Sequence, residues 1–359
     1  MTHHTGSLTN TLRTLTLIVA LTATLFAQSS HAQEKKAVVR IGYVPVLIYA
    51  PLYLAQEKGY FAKEGIDAQL TPVQGGSDSV VQLAAGNFDA AVGGIGAGLL
   101  NAANKGLDFK IVAPMHAERK PLSTSLVISA KRAEEFKSVK DLKGKTISIN
   151  ATGAATEYWL AEALRLNGLT YADVKITQVG FANVPAALEN KSIDAAMLGD
   201  PITTQQVEKG VVKILADDFI DGFYATYLYM GSPLLKDRPA VAEGFMRAYL
   251  QATRDLQDPN IFKDKDFAAI IEKYTKVPAD TVTQASRPYY EPNGVIPVAN
   301  INTLQDYFLT RGVLEYKTPV DMTKFIDQSL AEKAIAKLGK FTPKAAATMA
   351  ATPAATPAK

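Results

Sequence analysis

The chain has 359 residues, enough for two ordinary domains, and is 47% hydrophobic and 20% charged, so it can bury a sizeable core and does not have a disordered composition. Its formal net charge is +3, which falls to +2 once residues 1–32, with Arg13 and no acid, are set aside; with no basic–aromatic patch, this excludes a nucleic-acid binder. There is no cysteine, so disulfides, thiol chemistry, thiolate metal sites and lipid attachment through an N-terminal cysteine are all excluded.

Arg13 precedes the apolar run Leu15 to Ala27, and Ser30-His31-Ala32 places small residues where a signal peptidase reads. Residues 1–32 are therefore expected to be a cleavable signal peptide, the run being shorter than the ~20 residues needed to cross a bilayer. His3, His4 and His31 leave with it, and His116 remains as the one histidine, too few for a multi-histidine metal site. A Ser-His-Asp site would have to use His116, and no serine sits in an elbow motif to support it.

Val38 to Tyr43 reads as the first strand, ended by Pro45; Pro51 then opens a helix that Gly65 closes. A strand over Ile66 to Val73, a helix from Ser77 to Ala85, a strand over Phe88 to Val92, a helix from Gly96 to Lys105 and a strand over Phe109 to Ala113 follow. This alternation predicts a largely parallel sheet with helices on its faces. Leu122 to Ala130 reads as a crossing into a second lobe. That lobe contains a strand at Thr146 to Ile149, a helix from Gly153 to Asn167, a strand at Val174 to Val179, a helix at Pro185 to Asn190, a strand at Ile193 to Met197, a helix at Thr203 to Gly210 and an edge strand from Val212. Phe223 to Tyr229 crosses back, and helices are expected over Arg238 to Asp255, Phe267 to Tyr274, Thr281 to Tyr290, Ile301 to Arg311 and Asp321 to Leu338.

Val73 to Gly98 has an echo in Phe181 to Ile202: FDAAVGG becomes IDAAMLGD, with a helical stripe before each. The echo predicts two similar lobes. The expected organisation is residues 33–123 and 222–338 in lobe 1, residues 124–221 in lobe 2, two crossover strands as a hinge, and an Ala/Pro/Thr-rich disordered tail over 339–359.

In open α/β sheets ligands bind beyond the carboxyl ends of strands. Those positions offer Pro45, Tyr49, Gly76, Ser77, Gly96, Ala97 and His116 in the first lobe, and Thr152, Gly153, Ala154, Asn183 and Asp200 in the second. Gly76-Ser77, Gly96-Ala97 and Gly153-Ala154 each precede a helix, where free N–H groups favour an anion; tight turns of any such fold would look the same. None of the three has the pattern of a nucleotide-binding loop. Tyr49 and Tyr224 could wall a pocket or fill the hinge core. Asp200 could meet an amine or ring N–H, or cap the helix after Pro201; Glu157 could complement the start of its helix or wall the pocket.

The segments Ile41-Gly42-Tyr43, Pro51 to Ala55, Glu57 to Phe61, Gly75-Gly76-Ser77, Leu83 to Asp89, Asp141 to Lys145 and Ala187-Leu188 with Ile193 to Ala196 together resemble a known family. It is that of the periplasmic substrate-binding proteins of ABC importers, in the nitrate/sulfonate/taurine and thiamine-precursor-like (NMT1/THI5-like) branch, and the likeness runs from about residue 37 to 330. The resemblance implies an α/β, two-lobed periplasmic-binding-protein fold (type II), a small-molecule solute held between the lobes, delivery to an inner-membrane ABC permease, no cofactor and a monomer. No arginine or lysine lies in the loops named above, which favours a sulfonate, an aromatic or other organic carboxylate, or a heteroaromatic compound over nitrate. A receptor-linked ligand sensor would have the same lobes. A pyrimidine-synthase-like enzyme shares the fold but uses a cysteine-rich segment that this chain lacks.

Overall fold

The computed structural model describes Met1 and residues 36–343; the expected leader (Met1 apart) and the chain from 344 onward lie outside the described residues. Ten strands form two five-stranded sheets of the same plan. The first sheet has the order β2-β1-β3-β10-β4, built from β1 (Ala37–Tyr43), β2 (Ile66–Pro72), β3 (Ala90–Gly94), β4 (Phe109–Glu118) and β10 (Phe223–Gly231). The second has the order β7-β6-β8-β5-β9, built from β5 (Thr124–Ser129), β6 (Thr146–Ile149), β7 (Lys175–Gln178), β8 (Ala195–Gly199) and β9 (Val212–Ala216). The echo in the sequence falls on β3 and β8, which hold the same place in their sheets.

The sheets are mixed, and the reason lies in the connections. Only β10 in the first sheet and β5 in the second run antiparallel to both of their neighbours. These two strands enter from the other lobe. They start at the edge where their neighbours end, and so must run the opposite way. The expected crossings, Leu122 to Ala130 and Phe223 to Tyr229, are thus largely β5 and β10 themselves, and the chain passes between lobes in the short segments just before them, 119–123 and 217–222.

Among the described residues twelve α-helices flank the sheets. In the first lobe these begin with α1 (Ala50–Glu57), with Pro51 in its first turn, and the single turn α2 (Tyr60–Lys63) beyond Gly59, whose φ of +70° ends α1. Next come α3 (Gly76–Ala84) and α4 (Ala97–Asn104). The second lobe has α5 (Ala155–Leu166), α6 (Val184–Glu189) and α7 (Ile202–Glu208). The chain then returns to the first lobe as α8 (Pro239–Asp255), α9 (Lys265–Thr275), α10 (Ala279–Val282), α11 (Val298–Thr310) and α12 (Ser329–Leu338).

Three expected helices differ. The one expected from Pro51 to Gly65 is broken at Gly59 into α1 and α2. Over Thr281 to Tyr290 only the turn α10 forms: Pro288 supplies no N–H, Ser286 gives its N–H to Asp200, and Tyr289 pairs with Ala117 through two backbone hydrogen bonds. Over Asp321 to Leu338 the helix is broken. Asp321 caps a short 3₁₀ turn, Asp327 accepts from Ser329, and between them Ile326 pairs alongside Ile111 at the edge of β4. The C-terminal segment is still fixed at Phe341, which exchanges two hydrogen bonds with Asn293, so order continues past the expected start of the tail at 339.

The buried apolar residues form two clusters, and each runs from one lobe into the other. One joins Leu52 and Phe245 of the first lobe to Val184 and Leu198 of the second; the other joins Leu99 and Tyr229 to Trp159 and Ile149. The lobes are therefore shut on each other. Among the described residues no helix is long and apolar enough to cross a membrane.

Candidate functional site

Val44 follows β1, Gly94 ends β3, Asn150 follows β6 and Gly199 ends β8, and all four line one cavity. The carboxyl ends of both sheets therefore meet at the interlobe cleft, as the crevice rule requires. The reversed strands bring their starts to the same place, which adds Thr226 of β10 and Thr124 of β5. Tyr49 and Ile48 come from the turn before α1; Ala154, Ala155, Thr156 and Trp159 come from the start of α5; Phe181 closes one side.

This central cavity is about 30 Å³, room for one or two water molecules. Its side-chain polar groups are hydroxyls, one amide and the indole N–H of Trp159. Asn150 Oδ1 accepts from the Thr156 hydroxyl at 2.7 Å. The Tyr49 hydroxyl makes no hydrogen bond among the described residues, and burial raises its pKa above the ordinary tyrosine range. Thr226 Oγ1 lies 2.5 Å from Nδ1 of His116. His116 is fully buried behind Thr226; its Nε2 is 3.4 Å from Glu118, which in turn accepts from the N–H and hydroxyl of Ser123 in the first crossover. Among the described residues no charged side chain lines this cavity.

Two further openings flank it. A larger one, about 520 Å³, shares Val44 and Phe181 with the central cavity and sits beyond the ends of β2 and β7. Its walls are Tyr43, Pro45, Val73 and Gln74 from the first lobe, Asn183 and Ile202 from the second, and Lys273 to Lys276 at the end of α9. A smaller one, about 130 Å³, lies between α3–α4 and the loop holding Thr152 and Gly153.

The expected residues are distributed among these places. Tyr49 and Ala154 line the centre, Pro45 and Asn183 the larger opening, and Gly96, Thr152 and Gly153 the smaller. Gly76 and Ser77 start α3, and Ala97 starts α4. Two of the expected anion-binding turns meet each other instead. A Cβ on Gly96 would stand 2.0 Å from the carbonyl oxygen of Gly153, so in the shut form these backbones fill each other's space. Glu157 takes the N–H of Gly153 at 2.9 Å and completes the start of α5.

Asp200 is a clasp. One oxygen accepts from the N–H and hydroxyl of Thr204, the capping role; the other accepts from the N–H of Ser286 in the opposite lobe at 2.8 Å. Its carbonyl accepts from Leu47, also across the cleft. Burial pushes its pKa up to about 6 against these donors. Tyr224 gives its N–H to Asn300, accepts from the Tyr227 hydroxyl, and packs in the hinge, lining none of the three cavities. A second clasp joins Arg311, just past α11, to Glu157 at 2.9 Å, and a third joins Thr281 to Glu208 at 2.8 Å.

Sequence reasoning missed Thr124, Asn150, Thr156, Trp159 and Thr226. Thr124 and Thr226 escaped because a strand start faces the cleft only when the strand is reversed. Asn150 could have been found, as the residue that follows β6.

The NMT1-like family matches residues 32–272, two thirds of the chain. The chain belongs to the NMT1-like family. Among relatives, the riboflavin-binding protein RibY of Chloroflexus aurantiacus is 29% identical over 235 residues, which are 64% of this chain and 64% of RibY, a little under two thirds of its length. A solved protein of Bordetella bronchiseptica superposes with a TM-score of 0.68 at 25% identity, covering 85% of this chain and 99% of that one. The alkanesulfonate-binding protein SsuA of Xanthomonas axonopodis pv. citri, solved bound to MOPS, superposes with a TM-score of 0.68 at 20% identity, covering 82% and 99%. This member of the NMT1-like family thus has the two-lobed periplasmic-binding-protein fold, and among its described residues no group of three or more histidine, aspartate or glutamate side chains could hold a metal ion.

Proposed function

We propose that this protein is the solute-binding component of an ABC-type import system. It captures a small organic solute between its lobes and delivers it to an inner-membrane permease. The carrying observation is the cleft: two hinged lobes present the carboxyl ends of both sheets to a shared, hydroxyl-lined cavity. Both crossovers join the lobes through short segments, so the cleft can open by hinge motion and close on what it holds. In this reading residues 1–32 export the chain to the periplasm, it acts as a monomer, and residues 33–123 and 222–338 form one lobe and 124–221 the other, a division that the separate strand sets of the two sheets support.

The solute is a sulfonate, an organic carboxylate or a heteroaromatic compound. Likeness to RibY supports the last, and so do Tyr43, Tyr274 and Phe181 around the larger opening of the cleft. Chemistry on the solute has no support. The described histidine is packed behind Thr226, and the chain has no cysteine nucleophile.

Trp159 is the only tryptophan in the chain and lines the cavity, so its emission reports occupancy. Titration with sulfonates, aromatic carboxylates and flavins is expected to change Trp159 emission saturably with at least one of them, with equal dissociation constants from emission and calorimetry. Flat emission alongside calorimetric binding would place the solute away from the central cavity that Trp159 lines.

A further inference from the structure

The central cavity has room for only one or two waters, too little for an organic solute, whereas the opening beside it, at about 520 Å³, falls in the range of small-molecule sites. The two share Val44 and Phe181 as a common wall. We infer that the solute is an aromatic or heteroaromatic acid whose ring occupies this outer chamber, with its anionic group toward Lys276 and only a small polar head reaching the hydroxyls of the central cavity. The inference rests on the cleft being the solute site and adds the solute's class and orientation.

The chamber's walls carry the argument. Tyr43 and Tyr274 stand edge to face, with ring centroids 6.0 Å apart, and Tyr274 stacks on Tyr53 at 4.4 Å, so the aromatic wall is held rigid from behind. Phe181 faces them from the other lobe. A flat ring gains apolar contact on both sides, whereas a short aliphatic sulfonate leaves these surfaces unfilled.

Charge then selects among flat solutes. Of the two lysines on the wall, Lys273 is committed: both oxygens of Glu57 lie within 2.8 Å of its ammonium, and Tyr274 donates to the same carboxylate. Lys276 donates only to the Lys273 carbonyl and pairs with no carboxylate among the described residues. Its charge is therefore available to an anion and disfavours a cationic ring. Gln74 and Asn183 face the chamber from opposite lobes, each with a donor and an acceptor for heteroatoms on the ring edge.

Lys276 also has a left-handed backbone, φ +63°, at the end of α9, so the informative variant is Lys276→Asn, which tolerates that conformation and removes the charge. Calorimetric titrations of the full chain would use riboflavin, riboflavin 5′-phosphate, 1-naphthalenesulfonate and ethanesulfonate. The expected result is that the aromatic anions bind more tightly than ethanesulfonate, and that Lys276→Asn weakens them roughly two- to fivefold while leaving neutral riboflavin unchanged. Equal binding of the two sulfonates, an equal effect of Lys276→Asn on charged and neutral flavins, or no binding of any aromatic probe overturns the inference. Tyr49→Phe, run in parallel, separates this from failure of the cleft itself. Binding that depends on Tyr49 and ignores Lys276 removes the outer chamber and keeps the cleft; binding indifferent to both removes both.

Discussion

Tyr49 and Asp200 are both buried at the cleft, and their surroundings give them opposite roles. Tyr49 has a hydroxyl without a partner among the described residues, on the wall of a cavity; Asp200 has both carboxylate oxygens engaged, by two donors of Thr204 in its own helix and by the Ser286 N–H of the other lobe. A hydroxyl in the first situation is ready for a solute. Tyr49→Phe keeps the packing and is expected to weaken solute binding by about 1 kcal/mol, near fivefold, with no loss of thermal stability. Calorimetry and thermal unfolding on one preparation check this. For Asp200 the expectation concerns pH. Its folded pKa, about 6, lies above the ordinary 3.8. The folded protein therefore holds a proton that the unfolded chain has released, and stability from this group falls as pH rises from about 4 to about 6. Asp200→Asn should flatten that part of the curve of melting temperature against pH. An unchanged slope would show that another group carries it. Sequence placed Asp200 at a strand end and left its side chain two choices; the deciding donor, Ser286, is 86 residues away and could not be read from local pattern.

At the level of elements, most of the fold was legible. Strand–helix alternation, with Pro51 and Gly65 as punctuation, located β1 to β4 and their helices within several residues, because short apolar runs bounded by turn residues leave few alternatives; the break at Gly59 inside the first expected helix was not read. The direction of β5 and β10 was not legible, since it depends on where each strand enters its sheet, and with it went Thr124 and Thr226. Closure is also a property of elements. α5 meets α11 through Arg311 and Glu157, with Tyr158 edge-on to Tyr307 at 5.2 Å. Arg311→Gln leaves Glu157, only 5% exposed at its side chain, without its cation, and should cost the closed form about 1–2 kcal/mol, given that Arg311 itself is partly exposed. The expected readout is a larger radius of gyration by small-angle scattering; a compact profile identical to that of the unmodified protein would argue that the ion pair does not hold the lobes. Gly96 gives a sharper test. Its backbone is extended, with φ −132°, so alanine suits it within its own lobe, but the new Cβ would collide with Gly153 across the cleft. Gly96→Ala should keep each lobe folded, by circular dichroism, and hold the cleft partly open in scattering.

For the whole molecule, the two sheets of identical order, the paired crossovers and the clasps on several sides of one cavity describe a device that shuts. In this shut form the centre admits only water, so a solute must enter an opened cleft and be held by closure. A solute that contacts both lobes stabilises the closed form by its differential affinity for it. Capture by closure is most directly tested by native mass spectrometry of the protein and of Gly96→Ala, each purified without denaturation. Capture predicts one small organic molecule bound at one per chain in the unmodified protein, and its loss from Gly96→Ala. Absence of any bound molecule together with no binding across sulfonates, aromatic acids and flavins, or equal retention by Gly96→Ala, would contradict it.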